Sequence, residues 1–232
     1  MNDHPEPPDD AGLDESALAG MGSGYEGVFI TFEGLDGCGK STQMDLLAAA
    51  LRERGYVVLV TREPGGTKLG EDIRTMLLDP SNKGMNPRAE ALLYAAARAH
   101  LVQEVVRPAL KDGQVVLCDR YLDSSLAYQG YGRGLGTADI LALNIWGTEC
   151  LLPDLTLYLD LDDSVRSTRL DAVPDRLEAE NEDFHLRVAE GFRALLVEHP
   201  HRMRRIDAHG SEAEVQERVR AVVEEELELF SH

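Results

Sequence analysis

Nine residues, GLDGCGKST from Gly34 to Thr42, combine three glycines, one lysine and two hydroxyls directly after the apolar run Val28 to Phe32. They fit the spacing G-x-x-x-x-G-K-[ST] and lie between a β-rich run and a helical pattern, the setting this motif requires. Gly34, Gly37 and Gly39 let backbone N–H groups turn inward around phosphate oxygens, with Leu35, Asp36 and Cys38 completing the loop. Lys40 can reach the outer phosphates, Ser41 can ligate magnesium and Thr42 adds a second hydroxyl. Cys38 reads as a small side chain where a bulky one would not fit. The stretch is a candidate nucleoside triphosphate site.

A phosphate loop does not choose a reaction. In open parallel sheets ligands bind beyond the carboxyl ends of the strands, so polar residues after each apolar run matter most. Thr61-Arg62-Glu63-Pro64-Gly65-Gly66 follows one run, Asp119-Arg120-Tyr121 another, and Asp162-Asp163 with Arg166, Arg169 and Arg176 a third. Each could be a structural ion pair; repeated around one site, they fit phosphate and metal contacts. Tyr94 and Arg98, four apart on a helical pattern, share a face that offers an aromatic plane beside a hydrogen-bonding fork. That pair suits a nucleobase, although an aromatic on a helix also packs a core. Ser124, Ser125, Tyr128 and Gln129 cluster after the Asp119-Arg120 strand end, and Gln129 could read a base edge.

The elements that must position these residues alternate along the chain. Val28 to Phe32, Val57 to Val60, Val115 to Cys118, Leu155 to Leu161 and Met203 to Ile206 read as strands. The first four are almost continuously apolar, as strands covered on both faces tend to be, so parallel pairing is expected. Met44, Leu47 and Leu51 mark one crossover helix; Leu93, Ala97, Leu101 and Val105 mark a longer one; Ser211 to Phe230 reads as a terminal amphipathic helix. The pattern predicts one α/β domain with about five parallel strands and helices on both faces.

With 23 basic and 42 acidic side chains among 232 residues, the formal charge is -19. Such a field repels nucleic acids and anionic lipid, so a bound phosphate needs its own cluster of cations. The first 24 residues carry six carboxylates and no lysine or arginine, and read as a solvated leader. Cys38, Cys118 and Cys150 are too few for a disulfide framework, and the last two are expected in apolar surroundings as reduced thiols. No apolar stretch approaches the length of a membrane span and no signal-peptide pattern opens the chain, so a cytoplasmic protein is expected.

FEGLDGCGKST, TREPGGT, AEALLYAAARAHL, DRYLDSSLAYQGYGRG and PDLTLYLDL, in this order, resemble the thymidylate kinases over residues 27 to 229. The resemblance implies a three-layer P-loop fold with a five-stranded parallel sheet and a short lid at about 166–178, a homodimer, and magnesium-dependent transfer of the ATP γ-phosphoryl group to dTMP. It implies that Gly34 to Thr42 hold ATP, with Lys40, Ser41 and Thr42 on its phosphates and magnesium. Asp36 would contact the acceptor sugar and phosphate, Arg74 and Arg120 would hold the dTMP phosphate, and Glu63 with Asp119 would order the metal and its waters. Tyr94 would stack on thymine beside Arg98 and Gln129, with Ser124 and Ser125 nearby, while Tyr128 would crowd the 2′ position. Arg169 is the first choice for the arginine reaching the transferring phosphoryl and Arg176 the second, the latter alternatively pairing with Glu178 or Asp175. The chain departs from some relatives in lacking a basic residue inside the phosphate loop, in Asp171 at a lid position, and in Tyr94 where Phe is frequent. Other small-molecule or nucleoside monophosphate kinases, a GTPase-type switch and a silent scaffold are the competing readings.

Overall fold

The computed structural model describes residues 25–162, 165 and 174–227. The acidic leader and most of the expected lid, including Arg166, Arg169 and Asp171, fall outside them. Five strands form one sheet: β1 (Val28–Glu33), β2 (Val58–Arg62), β3 (Val115–Asp119), β4 (Leu155–Asp160) and β5 (Met203–Asp207). Every pairing is parallel and the order is β2-β3-β1-β4-β5. The chain fills one side of β1 and then the other, so the topological switch point lies at the carboxyl end of β1, where such sheets bind ligands. Register there is tight: Asp119 pairs across with Phe32 and with Arg62, and Glu33 with Tyr158.

Helices cover both faces. Helix α1 (Lys40–Glu53) buries Met44, Leu47 and Leu51 against Ile30, Phe32, Leu117 and Leu157. On the same face the last helix, α8 (Glu212–Leu227), buries Val215, Val219 and Val223. Its start is fixed by Ser211 and Glu214, whose side chains bond each other's backbone N–H groups. The opposite layer contains α2 (Lys68–Leu78), α3 (Pro87–Leu101), α4 (Arg107–Lys111), α5 (Leu122–Ser125), α6 (Thr137–Thr148) and α7 (Glu182–Glu198). Helix α2 starts at Thr67, whose hydroxyl accepts from Gly70 N–H.

Three expectations are corrected. Strand β2 is only half-buried, because an edge strand has one neighbour and less cover. The long helix buries Tyr94, Ala97, Arg98 and Leu101, then Val102 and Val106 across a π-turn (Val102–Val106). Leu93 and Val105 of the predicted stripe are only partly buried, because the inward face lies one position further on and the π-turn resets the phase. Cys150 is exposed, in a left-handed turn after α6, whereas Cys118 is buried as expected.

A buried polar seam links α5 to the sheet. Arg202 donates to both carboxylate oxygens of Asp123 at 2.7 and 2.8 Å. Thr156 joins the same carboxylate at 3.1 Å and meets Thr31 at 2.9 Å. Arg202→Leu leaves Asp123 charged, buried and short of its cation, a change that costs about 3–5 kcal/mol. Denaturant unfolding should show a loss of that order; a loss below about 1 kcal/mol would show that the pair does not anchor α5.

Candidate active site

The phosphate loop spans the end of β1 and the start of α1. Gly34 takes φ 136°, and a Cβ there would lie 2.6 Å from the Leu159 carbonyl oxygen, so no larger residue fits. Gly39 caps α1 in the left-handed region with no side-chain cap, leaving the first-turn N–H groups for an anion. Lys40 is buried and donates to the carbonyls of Gly34 and Leu35, both at 3.1 Å, with Asp36 4.0 Å away. The Leu35 side chain packs into the core, so its part in the loop is its backbone alone.

Ser41 Oγ donates to Asp119 Oδ2 at 2.8 Å, across from the end of β3. The other oxygen, Asp119 Oδ1, is buried and unpartnered among the described residues. A hydroxyl and an unsatisfied carboxylate oxygen beside an anion-binding helix end fit magnesium, a hard cation that takes few protein ligands when it also binds phosphate. No group of three or more His, Cys, Asp or Glu suited to a metal occurs among the described residues.

Arg120 stands at the centre. Its backbone sits at φ 69°, uncommon for a residue with a side chain, and its N–H donates to Phe32 O at 2.9 Å. The guanidinium bonds Asp36 at 2.6 Å and Ser124 Oγ at 3.1 Å, and lies 5.2 Å from the Tyr128 ring centroid. Glu33 holds this turn from below, accepting from Tyr121 N–H at 2.7 Å, from Ser124 N–H at 3.2 Å and from the Ser124 hydroxyl. Burial, with Asp123 adding negative charge, pushes the Glu33 carboxyl up to about 7.

Arg98 is fully buried. It donates to Glu63 Oε2 at 2.6 Å, to Ser125 Oγ and the Tyr121 carbonyl at 2.8 Å each, and to Asn144 Oδ1. Burial raises the Glu63 carboxyl to about 7 against the pull of Arg98, and Glu63 Oε1 is buried without a partner among the described residues. Arg74, on α2, donates to the Pro64 carbonyl at 3.0 Å.

Two cavities open from this cluster. One, of about 610 Å³, is lined by the loop from Asp36 to Thr42 and by Asp119, reaching Ala208 and Gly210 after β5. The other, narrower and open on one side, is lined by Tyr94, Arg98, Ser124, Ser125, Tyr128 and Gln129. Asp36, Glu63, Arg74 and Arg120 border both. The sequence-predicted residues therefore fall into two groups that meet at a shared wall.

Some assignments change. Arg176 does not pair with Asp175 or Glu178; it is buried, bonded to the Leu77 carbonyl at 2.6 Å and to Glu90 at 2.7 Å, behind the narrower cavity. Tied there, the side chain is not offered to the phosphate loop in this structure. Asp162 meets His209 at 3.2 Å and lines a separate recess with Asp160 and Arg205. Sequence reasoning missed Glu33, Glu90, Asn144 and Arg133. Glu90 was within reach, since the four-residue step joining Tyr94 to Arg98 continues back to it. Glu33 sits beside the loop but reads from sequence as a strand terminus.

Known proteins are similar to this chain in sequence and in fold. A family model described as thymidylate kinase matches residues 32–219. The thymidylate kinase of Clavibacter sepedonicus is 57% identical, covering 78% of this chain and 87% of that one. That of Synechococcus sp. (strain JA-2-3B'a(2-13)) is 53% identical, covering 87% and 97% respectively. Among solved structures, thymidylate kinase from Ehrlichia chaffeensis aligns with a TM-score of 0.68 at 35% identity over 85% of this chain and 98% of that chain. With the family model matching residues 32–219 and these relatives 53–57% identical over most of their length, the chain belongs to the thymidylate kinases.

Proposed function

We propose that the chain transfers the γ-phosphoryl group of ATP to dTMP, giving ADP and dTDP, with the donor in the wider cavity and the acceptor in the narrower one. The observation that carries this reading is the wall of Asp36, Glu63, Arg74 and Arg120 common to both cavities, which would bring the two phosphate ends together. The acceptor phosphate has a second pKa of about 6, so it is largely dianionic at neutral pH and needs no strong base. One of its oxygens forms the new bond to the γ-phosphorus while the bond to the β–γ bridging oxygen breaks and ADP leaves. Lys40 exchanges its carbonyl partners for the outer phosphates, and Arg74 and Arg120 aim the acceptor oxygen. Ser41 and Asp119, with Glu63 close by, would hold magnesium, which would supply charge neutralisation on the triphosphate. Tyr94 provides the stacking face for thymine, and the Tyr128 hydroxyl, buried and unpartnered among the described residues, crowds the sugar.

Asp175 and Leu177, which follow the expected lid in the sequence, line one side of the acceptor cavity. The assembly we propose is a homodimer through α2, α3 and α6. These helices pack side by side and expose Leu69, Met76, Leu92 and Trp146, the last 81% accessible.

Lys40→Ala should lower kcat by about a hundredfold to a thousandfold while the melting temperature stays close to that of the parent protein. Near-normal turnover in a folded variant, read by coupled ADP release with dTMP, would overturn the donor-site assignment. Trp146→Glu should give monomers in sedimentation at micromolar concentration where the parent protein is dimeric. An unchanged dimer would place the interface elsewhere.

A further inference from the structure

The amide of Gln129 faces the acceptor cavity, but an amide has two ends and only one suits a given base. Its Nε2 donates to Glu90 Oε1 at 2.9 Å, and among the described residues no protein donor meets its Oε1. Glu90 is wholly buried on α3, one turn before Tyr94. It also accepts from Arg133 at 3.1 and 2.9 Å and from Arg176 at 2.7 Å. Burial opposes its ionisation, yet the hydrogen bonds from Arg133, Gln129 and Arg176 outweigh that and hold the carboxyl below the usual range. An ionised carboxylate only accepts, so the neighbouring amide must present its NH2 group to it.

We propose that Glu90 is a specificity-determining positioning residue: it locks Gln129 with its carbonyl toward the acceptor cavity, so that the site takes a base with a ring N–H donor and rejects one with a ring acceptor there. The inference rests on the reading of the narrower cavity as the base pocket. Arg98 complements the arrangement. Four of its five N–H groups are taken by protein acceptors, leaving one on Nη2, so the pocket offers a donor and an acceptor. Thymine presents the matching pair, a carbonyl oxygen beside N3–H. Cytosine presents the reverse, an amino group beside a bare N3. A buried polar group left facing its like is strongly unfavourable, which is how such a pocket discriminates.

The test is a double-mutant cycle on Glu90 and Gln129, read as calorimetric binding of dTMP and dCMP to the purified full chain. Glu90→Gln frees the Gln129 amide to turn over; it should weaken dTMP binding by about tenfold or more and shrink the dTMP-to-dCMP ratio. In a Gln129→Ala background the same substitution should cost dTMP less than about threefold, because the group it acts through is gone. Glu90→Asp keeps the charge facing Arg133 and Arg176 while withdrawing the acceptor from Gln129, and should shrink the ratio in the same direction. It carries the test if Glu90→Gln does not fold. Equal losses for both nucleotides, or a full loss repeated in the Gln129→Ala background, would reduce Glu90 to a structural residue and overturn the inference. Failure of the parent protein to bind dTMP would instead overturn the reading of the pocket itself.

Discussion

Two polyanions cannot be brought head to head without cations between them. Unit charges about 4 Å apart repel by about 4 kcal/mol at an effective dielectric near 20, and donor and acceptor phosphates each carry several. The chain as a whole makes this worse, with a formal charge of -19. Its solution is local. Lys40 from the start of α1, Arg74 from α2 and Arg120 from the end of β3 converge beside the carboxyl end of β1. No single segment could supply that concentration of positive charge without repelling itself in the unfolded chain, and the switch point of the sheet brings the pieces together only on folding.

Holding cations at a chosen spot has its own requirement, since a long flexible side chain must be fixed. The structure does this with buried carboxylates. Glu33 clamps the turn that carries Arg120, Glu63 anchors Arg98, and Glu90 gathers Gln129, Arg133 and Arg176. Buried ion pairs of this kind add little net stability, because desolvation offsets attraction. Their contribution here is geometric: each fixes where a donor or an acceptor points. Asp123 with Arg202 does the same for α5, which bears Ser124 and Ser125. The left-handed backbone of Arg120 is kept by the same contacts.

How much of this was legible in the sequence follows from how local each signal is. The five strands lie within two residues of their predicted ends because an apolar run bounded by turn residues reports burial directly. The phosphate loop was legible because its glycines, lysine and hydroxyls are contiguous. Tyr94 and Arg98 were recognisable as sharing a face, but not that Arg98 spends four N–H groups on Glu63, Ser125, Asn144 and Tyr121, which arrive from three other segments. The partner of Arg176 was hidden for the same reason: Asp175 and Glu178 are the acids near it in sequence, whereas Glu90, 86 positions away, holds it. The phase error at Val105 came from a π-turn, which leaves no pattern in side-chain hydropathy.

In the proposed reaction, donor and acceptor sites share one wall and meet there. A bisubstrate compound joining adenosine and thymidine 5′ ends through a chain of phosphates tests it most directly, titrated calorimetrically in the presence of magnesium. A continuous cleft should bind it about a hundredfold or more tighter than either ATP or dTMP, and each natural substrate alone should displace it. Binding no tighter than the better single substrate, or displacement by only one of the two, would mean that the two cavities do not form a single reaction site.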